Sequence, residues 1–122
     1  MTDYIPTLTY NIVPGDDQQK FTVVTLHGDM DKAGLDLVKE KLEKMVESFS
    51  LQYLVFDFSD LNFINSESIG FLMAIHSHLI KKGKSLVVVA AKDHVKDVLS
   101  VIGILGVIEY YDSLESFKKK LS

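Results

Sequence analysis

Two nearly uninterrupted apolar runs constrain the fold of this chain more than any other feature of its sequence. They read LQYLVFDF at residues 51–58 and SLVVVAA at residues 85–91. A strand with one solvated face alternates apolar and polar residues, whereas a strand inside a parallel sheet is apolar throughout because both of its faces are covered. We therefore expect these two runs to form the centre of a parallel sheet.

The segment between the two runs has the periodicity of a helix. Gly83 suits the C-terminal cap of a helix over residues 66–82. The residues that share one stripe of this helix are Ile69, Leu72, Met73, His76 and Ile80. The pattern predicts a strand–helix–strand crossover.

The N-terminal part of the chain predicts a hairpin followed by a helix. Residues 4–13 and 20–27 are dominated by β-branched and apolar side chains, and the turn-forming sequence PGDDQQ separates them. Asp31 is placed to cap the helix that follows. The apolar residues that recur at helical spacing are Leu35, Val38, Leu42, Met45, Val46 and Phe49.

The C-terminal part predicts a helix, a short strand and a last helix. The helix DHVKDVLSVI ends at Gly103, and the strand is VIEYY at residues 107–111. Asp112, three residues before Glu115, resembles the capping box of a last helix that buries Leu114, Phe117 and Leu121. The order β-β-α-β-α-β-α-β-α predicts one α/β domain over residues 1–122, with a single mixed sheet of about five strands and four amphipathic helices.

Composition narrows the classes of function. With 122 residues, 47% of them apolar, and a net charge of −4, the chain is typical of a folded domain and lacks the basic character of a nucleic-acid-binding protein. It has neither an apolar run of the ~20 residues needed for a membrane span nor a secretory signal, so we expect a cytoplasmic protein without membrane insertion.

The sequence suggests no cofactor or metal site. It contains no cysteine and no glycine-rich phosphate-binding motif. Of the four histidines, His76 is expected to be packed or hydrogen-bonded. His27 and His94 are expected to lie at element ends without clustered partners.

The polar stretch FINSESIGFL, residues 63–72, is the main candidate for a functional site. Asn65 or Ser66 is a natural N-cap, and Glu67 complements the helix dipole. A serine at this place exposes its hydroxyl where free backbone N–H groups favour a phosphate. The acidic residues expected near the ends of strands, where they could converge on one rim of the sheet, are Asp29, Asp31, Asp57, Asp60 and Glu67.

An enzymatic function has little support in the sequence. Ser66 could act as a nucleophile with a histidine base, but NSESIG is not the GxSxG elbow and no spacing identifies the base. We therefore expect a protein that is not an enzyme.

Four segments of the chain resemble the STAS domain, in particular the stand-alone anti-sigma factor antagonists of bacteria. The segments are LHGDMD, LVFDFSDLNFINSESIGFL, GKSLVVVA and VLSVIGILGVIEYYDSLESF. The second is the most specific, because these antagonists typically have an apolar strand there, then Asp-Leu-Ser, an aromatic residue, and Asp-Ser-Ser/Thr-Gly-Leu-Gly.

The resemblance implies a phosphorylation-gated binding module in transcription regulation. In the family, an anti-sigma factor with serine kinase activity phosphorylates the serine of this motif. The unphosphorylated antagonist binds that kinase and frees the sigma factor, and a serine phosphatase resets the antagonist. The phosphoacceptor would be Ser66, and the acidic residue of the GxxD loop that contacts the kinase would be Asp31. The partner-binding residues implied are Asp31, Asn65, Ser66, Glu67, Ser68 and Ile69.

The motif departs from the family pattern at three positions. Asn65 replaces an aspartate, Glu67 a serine or threonine, and Ser68 a glycine. Ser68 places a side chain where a partner would approach the backbone closely, and it is a second candidate phosphoacceptor. Because Glu67 already places a carboxylate beside Ser66, an alternative is a constitutive STAS adaptor in a signalling or transport assembly that is not phosphorylated.

Overall fold

The computed structural model describes residue 5 and residues 7–122. Within these residues the strands are β1 (Thr9–Val13), β2 (Phe21–Met30), β3 (Tyr53–Ile64), β4 (Ser85–Val89) and β5 (Glu109–Tyr111). The helices are α1 (Lys32–Glu47), α2 (Ser66–Lys81), α3 (Asp93–Ile102) and α4 (Leu114–Leu121), and a 3₁₀ turn spans Ile104–Gly106. Residue 4, where the first strand was predicted to begin, lies outside the described residues.

The strands form one mixed sheet in the spatial order β1-β2-β3-β4-β5. β1 is antiparallel to β2, and each of the other neighbouring pairs is parallel. β3 is the central strand, and α2 connects it to its parallel neighbour β4. The predicted hairpin, crossover and α/β class are confirmed.

Helices cover both faces of the sheet, which explains the two apolar runs. The larger core joins α1, α2 and α3 to side chains of the central strands such as Leu26, Phe56 and Leu86. On the other face, α4 inserts Phe117, whose ring lies 5.4 Å from those of Phe21, Tyr53 and Tyr111.

β3 extends six residues beyond the end of the apolar run that predicts it. The strand ends at Ile64 rather than at residue 58, because Leu61 and Ile64 are buried and pair with Gly28 and Met30 of β2. Two register shifts in the β2–β3 pairing, each with the extra residue in β3, accompany this extension and break the simple alternation of buried and exposed positions. The predicted strand end was therefore wrong, and the extended strand leads directly to α2.

The buried stripe of α2 only partly matches the predicted stripe. Ile69 and Leu72 are buried as predicted, but Phe71 and Ile75 are also buried. Ile80 is 52% exposed, and Leu79 beside it is fully buried. His76 is packed as expected: its Nδ1 atom is buried without a hydrogen-bond partner among the described residues. Burial lowers the pKa of His76 because the charged ring is poorly solvated there.

The cap of α4 lies one residue later than predicted. The N-cap is Ser113, whose Oγ accepts a hydrogen bond of 3.0 Å from the Ser116 N–H. Asp112 instead accepts a hydrogen bond from Lys96 of α3 at 2.9 Å, and this contact raises the pKa of Lys96. Asp112 therefore joins the last strand to α3 and does not form the predicted capping box.

Candidate functional site

The candidate site lies where two neighbouring parallel strands end. Met30, the last residue of β2, pairs in register with Ile64, the last residue of β3. The next residues, Asp31 and Asn65, are the N-caps of α1 and α2. Because adjacent strands lie about 4.8 Å apart, the two helices begin side by side.

Both caps make the same hydrogen bond. Asp31 Oδ1 accepts from the Gly34 N–H at 2.8 Å, and Asn65 Oδ1 accepts from the Ser68 N–H at 2.8 Å. The predicted cap at Asp31 is confirmed, and of the two residues considered for α2 the cap is Asn65. Two adjacent helix N-termini present free backbone N–H groups and the positive ends of two helix dipoles, an environment that favours negative charge.

The buried side chain of Ser68 joins the start of α2 to β2. Ser68 is 0% exposed, and its hydroxyl donates to the carbonyl oxygen of Met30 at 2.7 Å. The same carbonyl accepts from the Asn65 N–H at 3.2 Å. The Ser68 side chain therefore does not occupy the surface that a partner would approach, and its position argues against its being a second phosphoacceptor.

The remaining motif residues divide into a surface pair and a core residue. Ser66 and Glu67 are exposed at the first two positions of α2, whereas Ile69 is 3% exposed and belongs to the core. The burial of Ile69 argues against direct contact with a partner. Ser66 is exposed as a residue, and within the described part of the chain its hydroxyl forms no hydrogen bond.

The five acidic residues do not converge on one rim. Asp57 lines a groove with Leu114 and Lys118 of α4, on the sheet face opposite α2. Asp60 Oδ2 lies 2.6 Å from the His27 Nδ1 atom. Asp29, Asp31 and Glu67 lie near the two helix starts. The reason is that the last residues of β2 and β3, Met30 and Ile64, are paired.

His27 and His94 have partners that the sequence did not indicate. His27 also contacts Asn11 Oδ1 through its Nε2 atom at 2.6 Å, so its ring joins β1 to β3 across β2. The His94 Nε2–H group donates to the carbonyl oxygen of Asn62 at 2.6 Å, and Lys92 donates to the Asn62 side chain. The sequence did not indicate these hydrogen bonds, because they join residues far apart in the chain.

The described residues contain neither a metal-binding cluster of side chains nor a membrane-spanning helix. Neither residue 5 nor residues 7–122 include a group of three or more histidine, cysteine, aspartate or glutamate side chains placed to hold a metal ion. In the same part of the chain, no helix has the length and apolar character needed to cross a membrane.

A family model for the STAS domain matches residues 13–117. This match covers most of the chain, including both helix starts of the candidate site. The chain therefore belongs to the STAS domain family.

Solved structures of several STAS proteins have the same fold. An anti-sigma factor antagonist from Mycobacterium paratuberculosis superposes with a TM-score of 0.79 at 22% identity, over 90% of each chain. The phosphorylated form of the Bacillus cell fate determinant SpoIIAA gives a TM-score of 0.67 at 13% identity, over 95% of this chain and 100% of that chain. The STAS domain of a SulP transporter from Vibrio cholerae gives 0.67 at 19% identity, over 80% and 77%. At these identities the similarity shows the shared fold.

Proposed function

We propose that this protein is an anti-sigma factor antagonist whose binding to its partner is controlled by phosphorylation of Ser66. The observation that supports this function is the exposed residue Ser66 at the first position of α2, within a STAS domain. The partner is an anti-sigma factor with serine kinase activity, which the unphosphorylated protein binds so that the sigma factor is freed. The protein acts in the cytoplasm as a binding module.

The surface offered to the partner consists of Ser66 and Glu67 with the half-buried caps Asp31 and Asn65 beside them. The caps are held by hydrogen bonds to their own helices, so the surface is rigid before binding. A rigid surface loses little conformational entropy when a partner binds.

Phosphorylation changes the charge of this surface without requiring a change of fold. A phosphate adds about −1.5 to −2 charges, next to Glu67 and near Asp31. The two helix N-termini stabilise the phosphate in the free protein. The phosphate repels an acidic partner surface, and it is poorly solvated in a closely packed interface. In either case the complex dissociates. A serine phosphatase then restores the binding form.

The departures from the family motif define which kinase fits. Asn65 keeps the capping oxygen without a formal charge, and Glu67 supplies a carboxylate on the other side of Ser66. The kinase must therefore accept a neutral residue before the phosphoacceptor and an acidic residue after it. Ser68 does not hinder the kinase, because its side chain points into the protein.

The test combines phosphosite mapping with binding measurements. The protein is incubated with ATP and the anti-sigma kinase of the same organism, and mass spectrometry is expected to find the phosphate on Ser66. Ser66→Asp is expected to weaken binding to the kinase at least tenfold. Ser77→Asp, a matched control at an exposed position of the same helix, is expected to leave binding unchanged.

Two results would contradict the proposal. One is phosphate on other residues alone, and the other is equal affinity of the Ser66→Asp variant and the unmodified protein. Full activity of Ser66→Ala in cells, with no phosphate on the unmodified protein, would instead indicate a constitutive adaptor.

A further inference from the structure

The outer edge of β1 is an exposed strand edge with apolar side chains. Among residue 5 and residues 7–122, no strand pairs with this edge. Four of the five residues of β1 are exposed, including Ile12 at 41% and Val13 at 59%. Unpaired N–H and C=O groups of such an edge can add a further strand.

The sequence of this edge lacks the charged residues that commonly prevent pairing. From residue 4 to residue 15 the chain contains no charged side chain. Edge strands that stay unpaired usually carry a lysine or an inward-pointing charge. Pro14 directly follows β1 and cannot donate a ladder hydrogen bond, so it limits pairing on this side to the strand itself.

A shallow groove of mixed polar and apolar lining runs beside β1 and widens the surface. It is lined by Tyr10 and Ile12 of β1 and by Leu37, Val38 and Lys41 of α1. Leu37 is 56% exposed although it lies in the middle of a helix that packs on the sheet. The strand edge and this groove together form one continuous surface, which we call the β1 edge.

We propose that the β1 edge binds a second copy of this chain, with the two β1 strands antiparallel about a twofold axis at Asn11. In this register Tyr10 faces the partner's Ile12, and Thr9 faces the partner's Val13. Aromatic and β-branched residues form favourable cross-strand pairs. A twofold interface places each residue opposite a residue of the same surface, and this strand brings no like charges together.

The size of the β1 edge sets the strength of the dimer. A pairing of five residues on each strand, with the groove beside it, provides less than the ~1,600 Å² of a standard stable interface. The dimer is therefore weak and depends on protein concentration. Ser66 follows β3, two strands away from this edge, so dimerisation leaves the candidate site accessible.

Engineered cysteines test the register, because the chain has no cysteine of its own. In the Asn11→Cys variant the two sulfurs face each other across the axis, at a Cα–Cα distance of about 5 Å that a disulfide can bridge. In the control variant Val13→Cys, the cysteine of one copy lies about 13 Å from the cysteine of the other copy, measured along the strands. Under mild oxidation Asn11→Cys is expected to form covalent dimer at least tenfold faster. Equal rates would overturn the proposal.

Sedimentation of the full chain tests the dimer independently. The average mass is expected to rise with concentration toward twice the monomer mass. Ile12→Lys should keep the protein monomeric, whereas the control Val101→Lys, at a residue of α3 that is 87% exposed, should dimerise as before. A monomer at every concentration, or equal association of both variants, would overturn the proposal. Ser66→Asp should dimerise normally, so this test does not depend on the proposed function.

Discussion

At the scale of single residues, two serines of one motif have different roles. Ser66 is exposed to solvent, whereas Ser68, two residues later, is buried and donates to the carbonyl oxygen of Met30. The residue types alone do not distinguish them. Their roles follow from the direction of successive side chains around α2, since Ser68 faces the end of β2 and Ser66 faces outward.

Ser68→Ala is expected to destabilise the protein by about 1 kcal/mol relative to Ser66→Ala, because it removes a buried hydrogen bond. Both substitutions change the helix propensity alike, so their difference reports the hydrogen bond. Urea unfolding of the two variants measures it. Equal free energies of unfolding would show that the Ser68 hydroxyl does not stabilise the join between α2 and β2.

At the scale of elements, the start of α1 depends on a close approach that only glycine permits. A Cβ atom at Gly34 would lie 2.4 Å from the carbonyl oxygen of Asp29 and 2.9 Å from the Leu8 Cβ atom. At Gly70 of α2, nothing lies within 4 Å of such an atom. Of these two glycines near the N-termini of neighbouring helices, Gly34 is therefore required by steric crowding, whereas Gly70 is not.

Gly34→Ala is expected to destabilise the protein by about 1–3 kcal/mol, because the added methyl group forces the turn before α1 to shift. Gly70→Ala, the matched control, is expected to stabilise it by about 0.5–1 kcal/mol, since alanine is the better helix former. Thermal unfolding of both variants decides between these signs. A change of the same sign in both would contradict the steric explanation.

At the scale of the whole molecule, the two faces of the sheet are covered unequally. Three helices cover one face, and on the other the eight residues of α4 provide the cover. Phe117 is 1% exposed and is the fully buried residue of α4 in this second core, and the partly buried Leu114 and Leu121 pack against it. A large part of the stability of the second face therefore depends on one aromatic side chain.

Phe117→Ala is expected to lower the free energy of unfolding by about 3–5 kcal/mol, through lost apolar burial and the cavity left among the aromatic rings. Val101→Ala, on the exposed side of α3, is expected to change it by less than about 0.5 kcal/mol. Guanidinium unfolding gives both values. Similar small losses would mean that α4 contributes little to the stability of the sheet.

The sequence by itself determined the order of elements and the class of fold. The two apolar runs predicted the central strands, and helical periodicity with Asp31 as a cap predicted α1. These are local properties, since burial on both faces and helix capping leave their pattern in neighbouring residues. The motif around Ser66 could be located for the same reason.

The tertiary structure alone decided which side chains of the motif face solvent and which distant residues meet. β3 continues to Ile64 because β2 pairs with it, and Asp112 contacts Lys96 instead of capping α4. The contact of His27 with Asp60 likewise joins residues of different strands. The physical reason is that strand register and long-range packing are set by partners far away in the chain, and a local sequence pattern does not contain them.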